Sequence, residues 1–343
     1  NVTQPRMRRS RREGGMALVT VMLFLLLALS TTTTFVYRSV SDALIASNRD
    51  QSAQAESLAR GGIRLAHAVL AQDRLDEMPT DFRVEARDDG WMKLGALPIQ
   101  TDDGGTLRVT IEDAGARLNL NSLFADGAPR DPLSEVMLVA FFEEVLDAHD
   151  ADRPDRDPEE LAQNLIDWID ADEVRVLGGF EDDYYQAQEP GYRAANRPLL
   201  SVDELALVEG FDAGLVALLR PYVSVHPWAA ADGINPNTAP PWVLRMLFHG
   251  TGDDYQFAEE DVIRAILDVR EGGGILCADE ANHEVCTPLR EVIGGEVYPP
   301  PTLTTDIFTV TAEARYGDVV AHVESTVDRS DPTRPTTLSW RVH

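Results

Sequence analysis

The fold of this chain follows from one stretch near its N-terminus and from the apolar run behind it: Arg11-Arg12-Glu13-Gly14-Gly15-Met16-Ala17-Leu18-Val19-Thr20. Five arginines precede Gly15, and no charged side chain occurs between Gly14 and Tyr37. A helix over residues 16–37 would rise about 33 Å, enough to cross a hydrocarbon core of about 30 Å. It would also satisfy its own backbone hydrogen bonds in the bilayer. The pattern predicts a single membrane-spanning helix with a cytoplasmic N-terminus.

Three interpretations of this stretch remain open. A cleaved signal peptide would be cut near the Ser30-Thr31-Thr32-Thr33-Thr34 run, whereas a plain signal anchor would not be cut at all. The third interpretation rests on a short basic leader that ends in Gly15 and is followed directly by Met16 and an intact hydrophobic helix. This arrangement resembles the class III signal of type IV pilins and pseudopilins. The resemblance implies cleavage between Gly15 and Met16 by a prepilin peptidase, followed by methylation of the Met16 amine.

The chain departs from the pilin pattern at Thr20, where most members of that superfamily carry a glutamate. In a filament, that carboxylate is thought to pair with the N-terminal amine of a neighbouring subunit. Either charge alone is costly to bury in hydrocarbon. A subunit at the tip has no neighbour above it, so Thr20 fits a tip position.

Length and charge limit the other classes of function. The chain has 343 residues, so we expect two folded units beyond the membrane helix. It carries 30 Lys and Arg against 58 Asp and Glu, a formal net charge of −28. Such a surface repels phosphate backbones and attracts cations, so nucleic acid is not an expected partner.

Cys277 and Cys286 are the two cysteines, and both lie outside the cytoplasm in the predicted topology. A disulfide is the first expectation in an oxidising compartment, with inert thiols as the alternative. A zinc site would need two further ligands, and the candidates between the cysteines are His283 and three carboxylates (Asp279, Glu280 and Glu284).

Hydrophobic periodicity predicts an α+β fold with an insertion. An apolar stripe continues the membrane helix to about residue 72, where Gly61 and Gly62 would allow a bend. Alternating residues predict strands at 106–113, 307–315, 319–327 and 337–342, with a further strand near 82–86. Helical spacing predicts several helices between them, at 132–148, 159–170, 201–209, 212–219 and 259–270.

These patterns, together with the resemblance to pilins and pseudopilins, predict five consecutive segments. They are a leader (1–15), a membrane-spanning segment (16–37), the first part of a pilin-like α/β domain (38–116), an inserted all-α domain (117–302) and the C-terminal strands (303–343).

An acidic stretch in the insert is the strongest candidate for a site. Thirteen acidic residues and three arginines lie between Asp150 and Asp183. Clustered carboxylates raise one another's proton affinity unless a cation neutralises them, and hard oxygen ligands suit Ca²⁺. The spacing is not that of an EF-hand, and a solvated acidic loop is the alternative. The preferred ligands are Asp170, Asp172, Glu181 and Asp182, with Asp167 and Asp183 as second choices.

The order of motifs around this stretch is similar to the K-type minor pseudopilin of type II secretion (general secretion pathway protein K). The motifs are Asp167-Trp168-Ile169-Asp170-Ala171-Asp172, Gly179-Phe180-Glu181-Asp182, Tyr184-Tyr185, Asn196-Arg197-Pro198-Leu199 and Ile234-Asn235-Pro236-Asn237-Thr238-Ala239. The resemblance implies a SAM-like or helix-hairpin-helix-like domain inserted into a pilin-like domain, with calcium bound in the insert. Phe180 stands where the family has alanine.

Two functions follow as hypotheses. The first is a non-enzymatic tip subunit of the type II secretion pseudopilus. The resemblance implies that it would be held in the bacterial inner membrane with most of the chain in the periplasm, and would assemble with I- and J-type minor pseudopilins and the secretion machinery. The alternative is a pilin-anchored DNA-uptake or adhesion protein that uses its helical modules. Acidic residues such as Glu209 and Asp212 disfavour phosphate binding there, and the sequence contains no recognisable catalytic motif.

Overall fold

The computed structural model describes residues 13–77, 83–87, 89–149, 156–176, 178–226, 232–252, 254–278 and 286–342. The helices in chain order are α1 (Glu13–Glu77), α2 (Gly90–Leu94), α3 (Pro132–His149), α4 (Pro158–Ile169), α5 (Asp182–Gln186), α6 (Ala213–Leu219), α7 (Pro241–Leu244), α8 (Glu260–Glu271) and α9 (Leu289–Ile293). The strands are β1 (Ile99–Gln100), β2 (Thr106–Asp113), β3 (Leu118–Asn119), β4 (Phe124–Ala125), β5 (Ala128–Pro129), β6 (Val223–Ser224), β7 (Phe248–Thr251), β8 (Asp254–Phe257), β9 (Leu276–Cys277), β10 (Thr287–Pro288), β11 (Glu296–Tyr298), β12 (Ile307–Tyr316), β13 (Val319–Asp328) and β14 (Thr336–Val342).

Helix α1 is continuous over 65 residues and contains a segment long and apolar enough to cross a membrane. Its apolar side chains around 16–37 are exposed, whereas its second half is buried on the sheet through a row of small and branched residues (Ala55, Ala59, Ile63, Ala66 and Leu70). The helix runs through Gly61 and Gly62 without interruption. A Cβ on Gly62 would lie 2.9 Å from Leu107, so this glycine lets the helix approach the sheet closely.

The main sheet has five antiparallel strands in the order β1-β2-β12-β13-β14. Val109, Ala312 and Val323 are aligned across its middle and face α1, as strand alternation requires. The four predicted strands all form. Strands β1 and β2 precede the insertion, and β12, β13 and β14 follow it. The sequence therefore predicted the pilin-like α+β architecture correctly.

The inserted region has its own core, built mainly by α3, α4, α6 and α8. It is mostly helical, but it also contains a small antiparallel sheet in the order β11-β7-β8 that the helical periodicity did not predict. Each of these strands has only three or four residues, too few for alternation to stand out from neighbouring turns. The predicted strand near 82–86 does not form in its described part, 83–86. Glu85 is instead drawn into ion pairs with Arg83 and the buried Arg329.

Asp113 joins the sheet to the insert at the end of β2. Its buried carboxylate accepts hydrogen bonds from the Thr238 hydroxyl and from Asn235 Nδ2, the latter at 3.3 Å. The backbone N–H of Asn235 donates to the Gly115 carbonyl at 2.7 Å. The insert is thereby fixed to the sheet close to the point where the chain enters it.

Candidate metal centre

Helix α4 delivers the first two acidic side chains of the candidate centre. Asp157 caps its N-terminus by accepting a hydrogen bond from the Glu159 N–H at 2.9 Å, and Pro158 occupies the first helical position. Apolar residues including Leu165 and Trp168 anchor the helix in the core of the insert. Asp167 and Asp170 are three residues apart, so the end of α4 presents both on one side.

Asp167, Asp170 and Glu181 form a buried carboxylate cluster, the acidic cluster below. One oxygen from each lies within 4.8 Å of the other two. Their exposed fractions are only 3%, 8% and 3%, respectively. Oδ1 of Asp170 and both oxygens of Glu181 accept no hydrogen bond from the residues that the structure describes. Buried oxygens without a donor are costly, and a cation is the simplest group that would satisfy all of them.

The electrostatics of the acidic cluster lead to the same conclusion. Burial, followed by the negative charges of Asp170 and Asp167, raises the pKa of Glu181 to about 8. Burial and the charges of Asp172 and Asp167 raise the pKa of Asp170 to about 6. Burial also raises the pKa of Asp167, although the Val176 N–H donates to its Oδ1 at 2.9 Å and opposes the effect. Without a cation, these three groups resist being charged together.

The other predicted ligands have different surroundings. Asp172 is exposed, and its Oδ1 accepts a hydrogen bond from the Val174 N–H at 2.7 Å. Asp182 is half-buried, and its oxygens accept from the Ala194 N–H at 3.2 Å and from the Gln186 side chain at 3.0 Å. Asp183 is exposed at the start of α5. The structure thus brings together Asp167, Asp170 and Glu181 from the predicted set, with Asp172 adding negative charge beside them.

A short loop returns the chain from α4 to Glu181. Val174 and Phe180 form an isolated antiparallel bridge, and the turn between them uses Gly178 and Gly179 at φ values of 86° and 108°. Such angles suit glycine because it has no Cβ. Arg175 holds the loop in place by donating hydrogen bonds to the side chains of Asn164 on α4, at 2.9 Å, and of Glu209, at 2.7 Å.

Asn196 is a supporting residue that sequence reasoning missed. Its side-chain amide donates to the Asp172 carbonyl at 2.7 Å, and its own N–H donates to the Trp168 carbonyl at 3.0 Å. It adopts a left-handed backbone with φ of 45°, a conformation in which asparagine is over-represented. Asn196, Phe180 and Glu181 also line an open cleft of about 350 Å³ that leads to the acidic cluster.

The helix-hairpin-helix-like segment at 201–219 packs inside the insert. Gly210 has φ of 83°, and a Cβ there would lie 3.0 Å from the Leu161 side chain. Glu209 in the same turn is ion-paired with Arg175. The turn is therefore used to hold α4 and its loop.

The remaining predicted site residues lie far along the chain from the acidic cluster. Gly15 and Met16 fall in the first turns of α1, and the preceding leader residues 1–12 are outside the described residues. The sulfurs of Cys277 and Cys286 are bonded to each other. His283 and the carboxylates considered as further zinc ligands also lie outside the described residues.

Comparison with known proteins identifies the family. A family model described as type II secretion system (T2SS), protein K, matches residues 116–228, which include the whole acidic cluster. The chain is also 31% identical over 326 residues to type II secretion system protein K of Pseudomonas aeruginosa, an alignment that covers 93% of this chain and 90% of that protein. The chain belongs to the protein K family of type II secretion systems.

Further relatives of this protein K agree in sequence and fold. Type II secretion system protein K of Klebsiella pneumoniae is 34% identical over 238 residues, which is 68% of each chain. A chain in the crystal structure of the GspK-GspI-GspJ complex from enterotoxigenic Escherichia coli matches with a TM-score of 0.59 at 22% identity. That match covers 86% of this chain and 98% of the other, so the two share a fold over nearly their whole length.

Proposed function

We propose that this chain is a non-enzymatic minor pseudopilin at the tip of the type II secretion pseudopilus. There it binds the I- and J-type minor pseudopilins and helps to start pseudopilus assembly for protein export across the outer membrane. The observation that carries the proposal is the similarity to protein K of Pseudomonas aeruginosa along nearly the whole chain. The solved relative from Escherichia coli was crystallised as a GspK-GspI-GspJ complex, which supports the choice of partners.

In this proposal the chain is a single-pass protein of the bacterial inner membrane. The exposed apolar segment of α1 spans the bilayer, and the arginines ahead of Gly15 keep the N-terminus in the cytoplasm. Prepilin peptidase removes the leader after Gly15, and the new amine on Met16 is methylated. The sheet and the insert then lie in the periplasm.

Two features of the chain support a position at the tip. Thr20 donates its hydroxyl to the Met16 carbonyl at 2.8 Å, so its polar group is satisfied within its own helix. It supplies no carboxylate for the amine of another subunit. The insert adds a second folded core beside the pilin-like sheet, and a body of this size would obstruct a subunit stacked above it.

We also propose that the insert binds calcium at the acidic cluster. Asp167, Asp170 and Glu181 would supply the central oxygens, with Asp172 and Asp182 as additional carboxylates whose charges act on Glu181. Calcium accepts six to eight oxygens in irregular geometry, whereas magnesium requires a near-ideal octahedron and releases its waters reluctantly. Bound calcium would offset two of the three negative charges and hold Glu181 against the end of α4.

The tip proposal is tested by isolating the full-length protein from inner membranes. The tagged protein K should co-purify with the I- and J-type minor pseudopilins of its own secretion system after mild detergent extraction. A tagged inner-membrane protein with an unrelated periplasmic domain serves as the control. Recovery of protein K without either partner, from cells that contain both, would contradict the proposal.

A further inference from the structure

Strand β14 carries an exposed apolar row at the edge of the main sheet. Leu338, Trp340 and Val342 alternate along it, with exposed fractions of 38%, 41% and 47%. In the described residues β14 pairs with β13 on one side only, because it ends the strand order. Its outer edge therefore presents main-chain N–H and C=O groups beside large apolar side chains. An exposed edge strand of this kind is a site at which another chain can add a strand.

The other face of β14 is already used within the molecule. Ser339 donates its hydroxyl to Thr326 at 2.7 Å, and Arg341 donates to Asp203 of the insert at 3.4 Å. These contacts hold the strand in place from the insert side. The apolar row points to the opposite side, towards α1. A shift in strand register after Thr326 brings Thr337 to this side as well, where it contacts His67 at 3.5 Å.

The surface around the apolar row is basic, although the chain as a whole has a net charge of −28. The guanidinium carbon of Arg60 lies 5.8 Å from the centre of the Trp340 ring, and the exposed Arg64 follows one turn later on α1. Glu56, one turn earlier, pairs with Arg60. After Glu56, residues 57–72 of α1 contain no aspartate or glutamate, and neither do residues 336–342 of β14. The chain has 58 acidic residues in all, so their absence from these two segments leaves the surface basic.

These residues form one surface of mixed apolar and basic character. We call Leu338, Trp340 and Val342 together with Arg60 and Arg64 the β14 face. A partner with carboxylates would complement it, and Arg64 would be the stronger attraction because Arg60 already has an acidic neighbour on its own helix.

The distance from the bilayer excludes a lipid surface as the occupant. Arg60 lies about 35 Å along the helix axis beyond Tyr37, at 1.5 Å per residue of continuous helix. Lipid headgroups do not reach that height. A second copy of this chain is disfavoured as well, because a symmetric contact would bring two arginine-rich faces together.

We propose that the β14 face binds an extended, acidic segment of a neighbouring minor pseudopilin, which adds a strand to β14. This inference rests on the proposed function and specifies where the partner binds. The partner's main chain would pair with the free edge, its apolar side chains would cover Trp340, and its carboxylates would meet Arg64 and Arg60. Trp340 would be the central contact, since buried tryptophan and arginine dominate binding energies at interfaces.

The test uses full-length protein K in membranes that contain its own I- and J-type partners. Trp340→Ala and Arg64→Glu should each lower the amount of co-purified partner by tenfold or more. The matched controls are Trp242→Ala and Arg264→Glu, which alter an exposed tryptophan and an exposed arginine on the insert. Thermal melts check that each variant is folded. If Trp340→Ala melts early, Arg64→Glu decides the result.

A photocrosslinking amino acid placed at Val342 identifies the occupant directly. The adduct should join Val342 to an acidic strand segment of a minor pseudopilin, and the same group at Trp242 should give none. An adduct with a second copy of protein K, or with a helix of the partner, would overturn the inference. So would undiminished partner binding in both β14-face variants. Failure of the unaltered protein to retain any partner would instead count against the proposed function.

Discussion

Removing calcium should destabilise the insert, and the geometry of the acidic cluster sets the size of the effect. One oxygen from each of Asp167, Asp170 and Glu181 lies within 4.8 Å of the other two. Two unit charges at that separation repel by about 3.5 kcal/mol at an effective dielectric constant of about 20. The cluster must therefore take up protons or open when no cation is present. Calcium at a hundredfold excess over Kd would add about 2.7 kcal/mol to the free energy of unfolding.

The assay is a thermal melt of the full-length protein in detergent with EGTA, with calcium or with magnesium. A gain of that size corresponds to a rise in Tm of about 5–10 °C for a domain of this size. Magnesium should give much less. Folding of the metal-free protein at neutral pH must protonate Glu181, whose pKa is raised to about 8, or bury its charge. Glu181→Gln avoids this cost and removes a ligand oxygen, so we expect it to raise the Tm in EGTA and to weaken the response to calcium. Glu160→Gln alters an exposed glutamate on α4 and should behave like the unaltered protein.

Two results would refute this reasoning. Equal melting temperatures in EGTA, calcium and magnesium would reduce the acidic stretch to a solvated loop. A Glu181→Gln variant that melts lower than the unaltered protein in EGTA would show that the carboxylates do not repel one another in the metal-free protein. Asp183→Asn tests whether this exposed, predicted ligand takes part in binding. The structure leads us to expect an unchanged response to calcium. Loss of the response would show that Asp183 is a ligand.

Three further predictions concern the rest of the chain. Mass spectrometry of the membrane-extracted protein should find methylated Met16 as the N-terminus, and an intact leader would contradict the prepilin interpretation. Thiol labelling of the denatured, non-reduced protein should find neither Cys277 nor Cys286 free, whereas labelling of both would exclude the disulfide. Burial raises the pKa of Asp113 to about 6 from an ordinary 3.8, so the stability that this group contributes is complete below pH 4 and is lost as the pH rises through 6. Relative to Asp113→Asn, the unaltered protein should therefore lose about 2.4 kcal/mol of unfolding free energy between pH 4 and pH 7, measured by denaturant titration. A constant difference would show that Asp113 has an ordinary pKa.

Sequence reasoning located the candidate centre but ranked its residues differently from the structure. Asp170 and Asp172 appeared closest because they flank one residue in an extended loop. In the structure Asp170 ends α4, so the helical spacing brings it together with Asp167, while Asp172 is exposed and hydrogen-bonded to the loop backbone. The three-residue spacing on α4 was a local signal that could have favoured Asp167. Glu181 reaches the cluster because the chain turns back between Val174 and Phe180. The path of such a turn cannot be predicted from the residues within it.

The helices and strands whose sequence pattern repeats over many residues were determined by the sequence alone. The uncharged run before Arg38 determines the apolar half of α1, which is long enough to cross a membrane, and strict alternation determines β2, β12 and β13. Each pattern adds the same preference at every helical turn or residue pair. Tertiary structure decided what depends on contacts between distant segments. Gly62 packs against Leu107, Glu85 pairs with Arg329 instead of forming a strand, and Glu181 meets Asp170 across a glycine turn. In each case the stabilising contact is made with a residue far away in sequence, so the local sequence around the position does not predict it.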